Sequence, residues 1–183
     1  MRYNIFLSAL LLCLCAIAYF IGWKGAFNRS GSYTPPAVLY CQDSRCDREI
    51  VDQISKANKY IYFAVYTITR PSIVDAVIGA KMRGVDVRGI TDFNQSITAE
   101  EKPQLSRMRA AGIPIEAPIK QIGLMHIKLL VTDSGYVSGS FNWTTSATSY
   151  NDEIIESGKI ISIINIYKNI FLELWSKYSA GIQ

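Results

Sequence analysis

Six residues in the last third of the chain carry groups that phosphoryl chemistry needs: His126, Lys128, Gly139, Ser140, Asn142 and Glu153. His126 is the only histidine among 183 residues, so any imidazole chemistry rests on it. It opens the alternating run "HIKLLVTD". On a strand successive side chains face opposite ways, which puts His126, Lys128 and Leu130 on one face and Ile127, Leu129 and Val131 on the other. Two groups that are, or can become, cationic repel side by side unless an anion lies between them or water screens them. A phosphate oxygen suits Lys128. In "GSFN" Gly139 lets backbone approach a ligand, and Ser140 and Asn142 offer hydroxyl and amide donors on one face. Glu153 follows and is able to accept from the second imidazole nitrogen and fix its tautomer. The His–Lys pair alone reads equally well as a solvated strand edge; with Ser140, Asn142 and Glu153 it becomes a phosphodiester site that requires no metal.

The elements that must position these residues alternate as in an α/β domain. A strand at Ala37 to Tyr40 precedes a helix at Asp47 to Asn58, where Ile50, Val51 and Ile54 recur at helical spacing. "KYIYFAVYTI" (Lys59 to Ile68) is aromatic and β-branched, as strands are. Pro71 suits the first turn of a helix running to Met82, and "VDVRGIT" (Val85 to Thr91) alternates as a strand. Glu100 to Ala111 reads as a helix ended by Gly112, and "IPIEA" as a short strand. Two strand-like runs, "HIKLLVTD" and "YVSGS", flank the hairpin punctuation Ser134-Gly135. "NDEIIES" is a further strand, and Lys159 to Tyr178 a closing helix with an apolar stripe at Ile163, Ile166, Ile170 and Leu174. This order implies a mixed β-sheet flanked by helices on both faces.

Composition places limits around that domain. With 49% hydrophobic and 19% charged residues the chain suits one core and an appendage. The net charge of +4 favours anionic partners such as nucleic acid or acidic lipid. Residues 1–23, uncharged from Ile5 to Trp23, are expected to form an N-terminal hydrophobic helix that reads as a signal anchor or signal peptide; its length favours an anchor. Residues 24–37 read as a linker and 38–183 as the domain. Cys13 and Cys15 lie in the apolar segment, while Cys41 and Cys46 pair if the domain is exported and stay thiols otherwise; two cysteines are too few for a structural zinc site. Arg83, Arg88, Lys102, Arg107, Arg109 and Lys120 are candidates for a phosphate track, though each alone reads as an ordinary solvated residue. Tyr60, Tyr62 and Tyr66 read as sheet packing rather than base-stacking platforms. Of three glycosylation sequons, at Asn28, Asn94 and Asn142, the last would block the site if used.

The spacing His126-x-Lys128-x4-Asp133-x5-Gly139-Ser140-x-Asn142 resembles the HKD motif of the phospholipase D superfamily, and "NDE" at Asn151 to Glu153 resembles the carboxylate segment that follows it. Upstream, "IYFAVYTITRPSIVDAVIGAKMRGVDVRGITD" is similar to the single-motif branch, which holds bacterial endonucleases and mitochondrial phospholipase D-like nucleases. The likeness covers residues 38–178, with the Asp133 to Gly139 interval one residue shorter than in the commonest form of the motif. It implies a phospholipase D/nuclease-like fold, no cofactor and no metal, and a mechanism that needs two histidines. Since this chain has one, the resemblance implies a homodimer whose two motifs meet across a twofold axis. His126 is then nucleophile in one protomer and general acid in the other, Lys128 and Asn142 hold phosphate oxygens, Ser140 assists, and Glu153 orients His126. Asp133 and Gly139 are structural. Seven residues along the strand, Asp133 would lie about 20 Å from His126.

The expected activity is a non-specific endonuclease acting on nucleic acid. The alternative keeps the mechanism and takes phospholipid, phosphatidylcholine or cardiolipin, where an exposed apolar rim should border the pocket in place of a narrow basic groove. A membrane-tethered nucleic-acid-binding protein without turnover is a third class. The expected location is a bacterial cell membrane or periplasm, or outside the cell if residues 1–23 are cleaved.

Overall fold

The computed structural model describes residues 34–41, 43, 45–119 and 123–180; the expected apolar segment at 1–23 lies outside the described residues. No helix among the described residues is long and apolar enough to cross a membrane. From Pro35 onward the chain forms one compact unit. Its strands are β1 (Ala37–Tyr40), β2 (Tyr60–Val65), β3 (Asp86–Ile90), β4 (Ile115–Glu116), β5 (Lys128–Thr132), β6 (Tyr136–Gly139) and β7 (Ile154–Gly158). Its helices are α1 (Arg45–Lys56), α2 (Pro71–Met82), α3 (Phe93–Ser96), α4 (Lys102–Ala110), α5 (Thr145–Ser149) and α6 (Ile161–Ser179).

The seven strands form one sheet in the order β1-β7-β6-β5-β2-β3-β4. β2, β3 and β4 run parallel, joined by crossovers through α2 and through α3 and α4, as parallel neighbours require. The rest of the sheet is antiparallel. On one face Ile61, Phe63, Val65, Val87, Leu130, Val137 and Ile155 pack under α1, α2 and α4 through Ile50, Ile54, Val74, Val77, Leu105 and Met108. On the other, Tyr62, Ala64, Ile90, Val131 and Tyr136 meet Ile164, Phe171 and Tyr178 of α6. Helices therefore cover both faces, and β2 is apolar without a break because it is buried on both sides. Truncating Phe63, fully buried at the centre of this strand, would cost about 3–5 kcal/mol.

Three local features differ from the sequence reading. The stripe of α6 is rotated: Ile164, Phe171 and Tyr178 are buried, whereas Ile166 and Ile170 are exposed. The Phe171 ring stacks on Tyr62 (centroids 4.8 Å apart), so aromatic contact with the sheet selects the face in a helix whose isoleucines point several ways. The hairpin loop is Asp133-Ser134, one residue earlier than its punctuation suggests, because Gly135 pairs back with Thr132 (N–H···O 2.8 Å). Gly135 is there for closeness: a Cβ would lie 2.9 Å from the Gly158 carbonyl oxygen and even nearer the Gln53 amide. The one-turn helix α3, too short to show a period, forms because Asp92 caps it, accepting from the amides of Asn94 (3.0 Å) and Gln95 (3.4 Å).

Candidate active site

The expected site residues lie at one end of the sheet, where β2 and β3 finish and β5 and β7 begin. β2 and β5 pair with Val65 opposite Lys128, and the ladder runs one bond further, Tyr66 N–H donating to the Ile127 carbonyl (2.9 Å). His126 lies just beyond the ladder rather than within it, and is exposed. Both its neighbours are held: Ile127 by that bond, and buried Met125 by an amide bond to Asp92 Oδ2 (3.1 Å). The backbone at His126 is thus fixed while the imidazole reaches solvent.

Lys128 is buried, and its ammonium donates to the carbonyl of His126 (3.0 Å). Burial pushes that ammonium below the ordinary lysine range, and the Glu153 carboxylate partly restores it. The Lys128 Nζ stands 5.1 Å from the centre of the Tyr66 ring, and the His126 ring centre is 4.7 Å from the same ring. The ammonium and the imidazole therefore approach one aromatic side chain.

Asn142 arrives on a locked segment. Phe141 and Trp143 are buried on either side of it; the Trp143 carbonyl accepts from Thr69 and Arg70 (2.8 Å each), and its amide donates to Thr67 (3.1 Å). The amide oxygen Oδ1 of Asn142 is buried without a hydrogen-bond partner among the described residues. Such an atom costs stability unless a ligand or a neighbouring subunit completes it. Ser140 bonds to Ile154 twice: its amide donates to the Ile154 carbonyl (3.0 Å), and its hydroxyl oxygen accepts from the Ile154 amide (3.1 Å), which leaves the hydroxyl proton to donate elsewhere. Gly139 has no room for a side chain, since a Cβ would lie 2.8 Å from Ile155 Cα and closer still to the Ile154 carbonyl oxygen. The close approach at Gly139 is to β7 rather than to a ligand.

Glu153 is buried, with Oε1 accepting from Asn151 Nδ2 (3.2 Å) and its carbonyl accepting from the amide of Cys41 (2.8 Å). Within the chain the Glu153 carboxylate thus bonds to Asn151, not to the imidazole. Cys41 is joined to Cys46 by a disulfide that ties the end of β1 to the first turn of α1. Asp133 is at the opposite end of β5, where Oδ1 accepts from the amides of Asn58 (3.0 Å) and Lys59 (3.1 Å). Among the described residues no three His, Cys, Asp or Glu side chains are grouped closely enough to hold a metal ion.

A supporting layer went unseen in the sequence. Tyr66 differs from Tyr60 and Tyr62, which pack beside α6; nothing in the sequence separates them, because only the β2–β5 register brings Tyr66 to His126. Gln95 donates to the Tyr66 hydroxyl (3.1 Å) and accepts from Thr67 (3.2 Å). Buried Asp47 accepts from Arg70 Nε (2.6 Å) and the Thr148 hydroxyl (2.6 Å), bracing the segment that holds Trp143. Buried Glu101 accepts from the Thr91 hydroxyl (2.5 Å) and the Ile68 amide (3.0 Å), and burial pushes its carboxyl up to about 7.

Most of the expected basic track is engaged elsewhere, while Lys102 is exposed at the start of α4. Arg83 donates to the Ile54 carbonyl (3.0 Å) at the far end of the sheet, Arg88 pairs with Asp86 (3.0 Å), and Arg107 pairs with Asp75. Arg109 donates to the Ile115 carbonyl (3.3 Å), and Lys120 lies outside the described residues. Exposed apolar side chains do stand on the loops at the site's end: Ile97, Ile119, Leu124 and Tyr150.

Known proteins share this architecture and sequence. Residues 50–175 match the family model described as "Cardiolipin synthase, PLD-like domain". The chain is 35% identical over 124 residues to the mitochondrial cardiolipin hydrolase of Xenopus tropicalis, covering 67% of this chain and 58% of that protein. It is 34% identical over 146 residues to the phospholipase D of Rickettsia prowazekii, covering 78% and 66%. The chain thus spans less than two thirds of the length of either relative. Among solved structures, the phospholipase D family member Nuc from Salmonella typhimurium superposes with a TM-score of 0.72 at 23% identity, covering 78% of this chain and 95% of that one. NucT from Helicobacter pylori superposes at 0.70 with 18% identity, covering 78% and 96%, and shares the fold. With a family model matched from the first helix to the last, the chain belongs to the phospholipase D superfamily, within its PLD-like domain family.

Proposed function

We propose that the chain is a metal-independent phosphodiesterase, an endonuclease of low sequence preference that works as a homodimer through a phosphohistidine. The observation that carries this reading is the exposed imidazole of His126 beside the buried ammonium of Lys128, with the Ser140 hydroxyl, whose proton can donate, at the same end of the sheet. A His126 nitrogen attacks phosphorus, a P–N bond forms, and the P–O bond to the leaving group breaks as a second His126 protonates the departing oxygen. Water, losing its proton to that second imidazole, then attacks phosphorus and the P–N bond breaks. Lys128, Asn142 and Ser140 hold the phosphate oxygens, each able to lower the barrier by several kcal/mol. Glu153, whose carboxylate bonds to Asn151 within the chain, would orient an imidazole only across the dimer, that of the second copy.

Attack and departure occur on opposite sides of phosphorus, so two imidazoles are needed and a second copy supplies one. Part of the sheet face that α6 leaves open supports this pairing. There Val38, Tyr40 and Ile154 are exposed, and Ile154 is hydrogen-bonded to Ser140. Nucleic acid as substrate is supported by the net charge of +4. Phospholipid is the second reading, favoured by Ile97, Ile119, Leu124 and Tyr150 around the site's end and by relatives named phospholipase D and cardiolipin hydrolase. The Cys41–Cys46 disulfide supports an oxidising compartment such as a periplasm, with residues 1–23 as anchor or signal.

The test is incubation of the full chain in EDTA with single-stranded DNA, duplex DNA, RNA and phospholipid vesicles, with His126→Asn as control. Cleavage of nucleic acid in chelator supports the reading, and cleavage of lipid alone promotes the second. Activity that disappears in EDTA, or a strictly monomeric form turning over at full rate, overturns the mechanism.

A further inference from the structure

We infer that Tyr66, held by Gln95, is a positioning residue for the His126 imidazole and the Lys128 ammonium; this rests on the histidine-dependent reaction proposed above but not on which substrate it takes. The His126 ring leans on Tyr66 at a centroid distance of 4.7 Å with planes at 57°, and the Lys128 Nζ stands 5.1 Å from the same ring centre. The face of an aromatic ring is electronegative and attracts cations. One ring thus offers a shared negative surface to an ammonium that burial disfavours and to an imidazole that must carry a positive charge before it can act as acid. Because His126 lies beyond the last ladder pair and is exposed, sheet packing does not fix its side-chain torsions, and the tyrosine is the aromatic wall it rests on.

Tyr66 is itself held at three points. Its amide donates to Ile127 (2.9 Å), its carbonyl lies 3.3 Å from the Thr91 hydroxyl, and its own hydroxyl accepts from Gln95 Nε2 (3.1 Å). Gln95 is fixed in turn by the Thr67 hydroxyl on its Oε1 (3.2 Å) and by its place in the helix capped by Asp92, whose other oxygen holds Met125. Tyr66 is only partly buried, unlike the core residues of β2 that precede it. A phenol anchored at its tip, with a tilted imidazole against it, is suited to aiming what rests on it.

The single histidine makes the test direct, because a tag-free full chain gives one set of imidazole C–H resonances, shifted by the Tyr66 ring current while the two rings touch. Wild type, Tyr66→Phe, Tyr66→Leu, Gln95→Leu and His126→Asn are assayed with bis(p-nitrophenyl) phosphate as a substrate-neutral diester. Tyr66→Phe should keep the ring-current shift and a kcat within about 3-fold, and Tyr66→Leu should lose the shift and about 30- to 100-fold in kcat with KM nearly unchanged. Gln95→Leu should move the resonances partway and lower kcat about 3- to 10-fold. A folded Tyr66→Leu with wild-type kcat, or imidazole resonances that do not move in it, overturns the inference. If Tyr66→Leu does not fold, Gln95→Leu decides, and resonances and kcat both unchanged there overturn it equally. Full turnover by His126→Asn would defeat the proposed reaction instead, whatever the ring-current result.

Discussion

The two ends of the β5–β6 hairpin use the same kinds of residue to opposite purposes. At the far end Asp133 accepts from two amides, the Thr132 hydroxyl oxygen accepts from the amides of Ser134 (3.1 Å) and Gly135 (3.0 Å), and Arg83 caps the carbonyls at the end of α1. Most strong groups there are paired, the exception being the buried Oε1 of Gln53 beside Gly135, which has no partner among the described residues. At the near end His126 is exposed, the Asn142 oxygen has no partner, the Ser140 hydroxyl proton is free to donate, and buried Lys128 has one backbone carbonyl. Buried polar groups are normally satisfied, so a cluster of incompletely satisfied ones marks where stability yields to binding. Asp133 belongs to the same sequence motif as His126 and Lys128, yet it serves the satisfied end.

That contrast is broken most severely at His126. His126→Asn should leave the fold intact and reduce cleavage by about 10⁴-fold or more, read by single-turnover assay. Lys128→Arg keeps the charge but not the fit, and should lower kcat by about 10- to 100-fold. It should also move the alkaline limb of the pH–rate profile upward: burial depresses the Lys128 ammonium, so the active cation is lost at a lower pH than for an ordinary lysine, and a guanidinium stays charged beyond it. Beneath the site, the Glu101 carboxyl is raised to about 7 against an ordinary 4.5, mainly by burial. The folded state therefore keeps a proton that the unfolded chain gives up. This stabilisation is complete below about 4.5 and fades as pH rises towards about 7, by on the order of 3 kcal/mol. Denaturant titrations of Glu101→Gln should lack that slope. The smallest effect is at the satisfied end, where Asp133→Ala should cost about 1–2 kcal/mol of stability and leave kcat within 2-fold of wild type.

Much of this arrangement was legible because chemistry and punctuation are local. Pro71 marks the start of α2, the alternation of "HIKLLVTD" marks β5, and the spacing from His126 to Asn142 marks the motif. What stayed hidden depends on pairing between distant segments. Tyr60, Tyr62 and Tyr66 look alike until the β2–β5 register sends two of them beside α6 and the third to His126. The buried stripe of α6 is settled by stacking of Phe171 on Tyr62, which helical period alone does not encode. The scattered arginines are adjacent in no useful sense, because Arg83 and Arg107 are engaged with partners on helices away from the site.

The disulfide between Cys41 and Cys46 also governs how the domain bears tension. Whatever tugs on the residues preceding Thr34 enters through β1, an edge strand held to β7 by four register pairs and loaded in shear along its length. The Cys41 amide, which donates to the Glu153 carbonyl, is the last hydrogen bond on that route, and the covalent link that follows it opens a second path into α1. Reducing agents would close that path and leave the chemistry untouched.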